Sequence, residues 1–112
     1  MTDRELLELA AKAAGYKILY WNVADIYSER SGEVAFVVAV GEWNPLTNDG
    51  DALRLAVKLG IGLDFLETAN NVLQVWANHY TEDHIENAGT EPYAATRRAI
   101  VRAAAEIGKR MK

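Results

Sequence analysis

Residues 43–60, WNPLTNDGDALRLAVKLG, constrain this chain more than any other stretch. Pro45 has no N–H for a strand ladder and restricts the residue before it, so any strand must end near Asn44. Asn48, Asp49 and Asp51 surround Gly50 and supply turn and helix-cap chemistry. Ala52, Leu53, Leu55, Ala56 and Leu59 then form an apolar stripe, with Arg54 and Lys58 opposite. Gly60 stops the helix, since glycine tolerates positive φ.

The flanking segments have their own signals. Thr2 and Glu5 fit a capping box at the start of a first helix. Leu6, Leu9, Ala10 and Ala13 form its stripe, and Gly15 is placed to end it. Residues 16–22 and 33–40 are strand-like, the second (EVAFVVAV) nearly continuous in apolar residues. The polar run DIYSERSG between them reads as a hairpin connection. Residues 62–80 score either as two strands around Asn70-Asn71 or as one helix. The adjacent asparagines and the composition of VLQVW favour the hairpin. TEDHIENAG reads as a polar loop, and an alanine-rich helix follows from near Thr90 to about Lys109. Pro92 suits its first turn. Tyr93, Ile100, Ala104, Ile107 and Met111 share one face of that helix at 100° per residue, with Arg98, Arg102 and Lys109 on the other.

The order predicted is α-β-β-α-β-β-α. It implies one α+β domain over residues 1–112, with a four-stranded, mostly antiparallel sheet and three helices packed on one face. A chain of 112 residues fits a single domain. Its net charge of −4 argues against general nucleic-acid binding, which rests on neutralising phosphates. With no cysteine, disulfides, thiol chemistry and cysteine-ligated metals are excluded. The charged start MTDRELLELA carries neither a signal-peptide pattern nor a membrane span, so a cytoplasmic protein is expected.

Chemistry-bearing motifs are sparse. Asn48, Asp49 and Asp51 lack the glutamate that would complete a calcium loop, so helix capping is the better reading. His79, Glu82, Asp83 and His84 are metal-ligand types, read here as a solvated acidic loop; no metal and no cofactor are expected. There is no G-x-S-x-G turn, no H-E-x-x-H helix and no glycine-rich phosphate loop, so no catalytic residue is assigned. Trp21, Trp43 and Trp76, with five tyrosines, are generous for this length and supply core packing or a stacking surface. Arg97 falls inside the apolar arc of the last helix, where a guanidinium must be paired, reach water or bind an anion. The structural reading is an ion pair with Asp49 or Asp51. The alternative is an anion pocket formed by Arg97 and Arg98 beside Trp43.

Three segments together resemble a group of small proteins encoded by tailed phages and prophages of proteobacteria. They are RELLELAAKAAG (4–15), WNPLTNDGDALRLAVKLGI (43–61) and EPYAATRRAIVRAAAEIGKRM (91–111). A fainter similarity is to the NinX-type accessory proteins of lambdoid phages. The resemblance implies a phage origin and expression in the cytoplasm of a bacterial host. It carries no activity and no functional residues. Two functions are therefore expected. The first is a non-enzymatic accessory protein that binds a host or phage protein through aromatics and an acidic surface. The second is a small-ligand binder that sequesters a nucleotide-like, anionic host defence signal. A homo-oligomer is also expected, since Ala94, Ala95, Ala99, Ala103 and Gly108 allow close helix approach.

Overall fold

The computed structural model describes residues 2–23, 33–37, 41–79, 82–89 and 91–111. Helix α1 (Asp3–Ala14) starts at Thr2, whose hydroxyl oxygen accepts the Glu5 N–H at 3.1 Å and donates to the Glu5 carboxylate at 3.2 Å. Helix α2 (Asp49–Leu59) starts at Asn48, whose side-chain oxygen accepts the Asp51 N–H at 2.9 Å. Gly15 and Gly60 end these helices in the left-handed conformation, with φ of 76° and 67°. Helix α3 (Pro92–Arg110) has no side-chain cap, and Pro92 in its first turn lacks an N–H that would need one.

Six strands complete the described fold: β1 (Ile18–Val23), β2 (Glu33–Val37), β3 (Gly41–Trp43), β4 (Gly62–Glu67), β5 (Leu73–His79) and β6 (Glu82–Asn87). They form two three-stranded antiparallel sheets, β1-β2-β3 and β4-β5-β6. The fold is α+β with three helices, but the order is α-β-β-β-α-β-β-β-α. The expected single sheet of four strands is thus replaced by two sheets of three. The differences are β3, too short to stand out, and β6, which sequence reading assigned to a polar loop. Glu82, Asp83, Glu86 and the amides around them hide β6 because an outer strand needs backbone pairing more than apolar side chains. Residues 62–80 are the hairpin β4-β5. Its turn closes through Thr68 N–H to the Val72 carbonyl (2.9 Å) and Asn71 N–H to the Thr68 carbonyl (2.9 Å), with Asn71 at φ 59°. The DIYSERSG connection, Val38 to Val40 of the second predicted strand, Tyr80 and Thr90 lie outside the described residues.

Helix α3 lies at the centre, packed by α1, α2, β5 and β6. Its buried residues are Ala95, Ala99, Ile100, Val101, Ala103, Ala104, Ala105 and Gly108. This is more than one stripe, because neighbours approach from several sides. Two members of the predicted face escape it: Tyr93 is 72 % exposed and Met111 is 42 % exposed. On α2, Leu53 also turns outward while Ala52, Leu55 and Ala56 are buried. Of the small residues expected to serve oligomerisation, Ala95, Ala99, Ala103 and Gly108 are buried within the chain itself.

At Gly108 the backbone of α3 lies against that of α1. A methyl group there would overlap the Leu9 backbone carbonyl. The helix ends are tied by the Lys12 Nζ, which donates to the Met111 carbonyl at 2.9 Å. In an open helix, glycine-to-alanine is stabilising by about 1 kcal/mol. Here Gly108→Ala is expected to destabilise by about 1–3 kcal/mol, since α1 must move to admit the methyl. Urea unfolding gives the sign; a gain in stability would show that α1 and α3 are not in backbone contact.

Candidate functional site

Of the residues singled out from sequence, Trp43, Asp49, Asp51 and Arg97 lie around the start of α2. Trp43 ends β3 and is only 2 % exposed. Its ring meets Tyr16 edge-on, with centroids 5.7 Å apart and planes at 83°. The other aromatic contact of Tyr16 is with Lys58, whose Nζ lies 4.5 Å from the ring centroid. A buried Trp43 has no open face on which a base could stack, so its assignment as a ligand-binding residue is corrected to a core residue.

Asp51 is buried and folds the chain back on itself. Its Oδ2 accepts the Asn44 N–H at 3.0 Å, and its Oδ1 accepts Arg54 at 2.7 Å. The Asn44 side chain in turn accepts the Leu46 N–H at 3.0 Å. Asp51 therefore organises the turn and does not reach Arg97. The Arg97 partner is Asp49: Nη1 donates to Oδ1 at 2.6 Å, while Nε donates to the Leu46 carbonyl at 2.8 Å. The Arg97 side chain is 19 % exposed, so α3 is fastened to the turn before α2 by a largely covered guanidinium.

Arg98 lies away from Trp43, at the opening between α1, α3 and β6. It contacts Asp3 at 3.3 Å and Glu86 at 4.0 Å. Asp3, Glu86 and Glu91 line the hollow beside it. An anion entering there would face three carboxylates, and the expected pairing of Arg97 with Arg98 around one ligand is not formed.

A second hollow, of about 170 Å³, lies between the β5-β6 end and the last turns of α3. His79, Glu82, His84, Glu106 and Arg110 line it. Arg110 bridges Glu82 and Glu106. Among the described residues no group of three or more histidine or acidic side chains could hold a metal ion. Burial lowers the His84 pKa from its ordinary 6.5; Arg102 lowers it further, while Glu106 and Asp83 act in the opposite sense.

The surface that sequence reading missed is the outer face of the β4-β5-β6 sheet. Register places Asp64, Trp76 and Ile85 in one row, with Gly62, Asn78 and Asp83 on one side and Leu66, Gln74 and Asn87 on the other. The alternate residues Val75 and Ala77 are fully buried beneath α3. On the outer face Leu66 is 47 % and Ile85 40 % exposed. Side-chain hydrogen bonds brace this face. The Trp76 indole donates to Gln74 (3.3 Å), Gln74 donates to Asn87 (3.2 Å), and Asn78 donates to Asp64 (3.2 Å). These three rows contain Asp64 and Asp83 but no lysine, arginine or histidine. The arrangement presents a fixed aromatic between an aliphatic side chain and a carboxylate. The only sequence signal was the two-residue alternation of Gln74, Trp76 and Asn78 with Val75 and Ala77.

No protein-family model, curated protein or solved structure matches this chain. Among the described residues no helix is long and apolar enough to cross a membrane.

Two outcomes test these assignments. Arg97→Leu is expected to cost about 1–3 kcal/mol, because the half-enclosed Leu46 carbonyl loses its donor. Asp49→Ala should cost under about 1 kcal/mol, since that carboxylate is mostly exposed. Equal losses in urea melts would place the energy in the ion pair instead. For His84, the unfolded state takes up the proton at higher pH than the folded state. Stability is then greatest above 6.5 and falls as pH drops from there toward the lowered folded-state value. Unfolding measured across this range should show that slope, and His84→Gln should flatten it.

Proposed function

We propose that this chain is a non-enzymatic accessory protein that binds another protein through the outer face of the β4-β5-β6 sheet. The observation that carries this reading is Trp76. It is braced by Gln74, flanked by Ile85 and Asp64 in its row, and set on a face that α3 leaves open. Tryptophan fixed at the centre of a patch is the residue type that most often dominates binding energy. Asp64 and Asp83 beside it favour a partner segment that offers lysine or arginine next to an apolar side chain.

Charge supports the same reading. The net charge is −4, and several arginines are already engaged by carboxylates: Arg54 by Asp51, Arg97 by Asp49, and Arg102 by Glu86. That favours a basic protein over a nucleic acid, which needs free cations. The resemblance of residues 4–15, 43–61 and 91–111 to small phage proteins supports a phage origin and a partner from the bacterial host or the phage, met in the host cytoplasm. The nucleotide-sequestering alternative draws less support, because Trp43 is covered and Arg97 is occupied.

Capture from a proteobacterial lysate on the immobilised chain tests the proposal. A specific basic partner is expected, retained at low salt and released as salt rises. Trp76→Ala and Ile85→Asp should each weaken it by about 2 kcal/mol or more, whereas Leu53→Ser on α2 should not. A partner held equally by the Trp76 variant, or no specific partner, would overturn the reading.

A further inference from the structure

A separate feature of the same sheet points to self-association. Among the described residues β4 is an outer strand, paired only with β5. No described backbone pairs with its other edge. Natural edge strands are blunted by charged side chains, lysine above all, by proline, by a bulge or by a covering element. GLDFLE carries two acids, Asp64 and Glu67, but no lysine or proline, and its register with β5 runs without a shift. Asp64, Phe65, Leu66 and Glu67 are all exposed, so no described element covers the strand. Phe65 is the informative residue. It sits directly opposite Val75 on the face that α3 covers, yet Val75 is fully buried and Phe65 is 55 % exposed. The cover supplied by α3 stops between β5 and β4.

We propose that β4 pairs antiparallel with β4 of a second copy, about a two-fold axis at Phe65, joining two three-stranded sheets into one of six. The self-complementarity of the strand selects the occupant. A two-fold axis normal to the sheet keeps paired residues on the same face, so only registers that pair residues of equal parity are allowed. Two such registers use nearly the whole strand. One centres on Asp64 and sets like charges directly opposite each other, which is destabilising. The other centres on Phe65. It places Phe65 against its own mate, Asp64 against Leu66 and Leu63 against Glu67, with no like charges opposed. Aromatic cross-strand pairs are among the favourable ones. Two phenylalanine rings would then fill the gap between the two α3 helices, where each chain alone leaves its inner face uncovered. The contact is independent of the Trp76 face, which remains open in the pair.

The absence of cysteine makes the register directly testable. Sedimentation or light scattering should give a species of twice the 12.4 kDa chain mass at high concentration. Phe65→Lys should weaken the dimer at least about tenfold while far-ultraviolet circular dichroism stays unchanged. Phe65→Cys should form an intermolecular disulfide on mild oxidation, since directly opposed residues lie about 4.5–5.5 Å apart between Cα atoms. Glu67→Cys should not, because its mate lies about 13 Å along the strand. A chain that stays monomeric at every concentration, a dimer indifferent to Phe65→Lys, or equal crosslinking at both cysteines would each overturn the proposal. The cysteine pair decides the matter even if the lysine variant fails to fold.

Discussion

The structure depends on how closely other elements can approach α3. Alanine buries little area per residue, so this helix gains less from side-chain transfer than a leucine-rich one would. Its advantage is geometric. Ala99, Ala103, Ala104 and Gly108 let α1 and the sheet come near the α3 backbone, and dense packing then adds many small dispersion contacts. Larger side chains from the neighbours, among them Leu6, Leu7, Leu55 and Val75, fill the layer around it. Small residues on the central element and large ones on the surrounding elements are two halves of one packing arrangement.

That arrangement settles what the polar groups near α2 can do. With Trp43 covered and the turn drawn in by Asp51, both carboxylates are engaged within the chain, Asp51 by the Asn44 N–H and Arg54, Asp49 by Arg97. Asp51 answers a buried N–H at Asn44, which would be costly to leave unmet. Asp49 is largely in water and serves to hold one end of a guanidinium whose other N–H meets a carbonyl. The two aspartates are close in sequence and unlike in energy. The surface proposed for recognition is instead on the second sheet, away from the motif that is most conspicuous in the sequence.

Local chemistry was legible in the residues; strand pairing beyond the hairpins was not. Thr2, Gly15, Asn48 and Gly60 mark helix ends because caps act within a few residues. Asn70-Asn71 marks the hairpin for the same reason, with Asn71 taking the positive φ. Arg97 stood out because a guanidinium on an apolar arc needs a partner, and the nearby acids narrowed the choice. By contrast, β6 has three acids among its six side chains, with His84 and Asn87 also polar, and it is a strand because β5 offers it a ladder. The same limit hid the outer face. Leu66, Trp76 and Ile85 are far apart in sequence and become neighbours only through strand register. Which side of that sheet faces water is fixed by α3, not by the strands.

The contact between Gly108 and the Leu9 carbonyl has a consequence for biogenesis. It joins α1 to the last turns of α3, at opposite ends of the described fold. Until α3 has been made, Leu6, Leu7 and Ala10 of α1 lack the element that α1 packs against most. Closing so long a loop costs chain entropy before its contacts form, which slows folding relative to a bundle of sequential neighbours. The nascent chain therefore carries a partly uncovered apolar stripe until α3 is made, a natural handle for a chaperone.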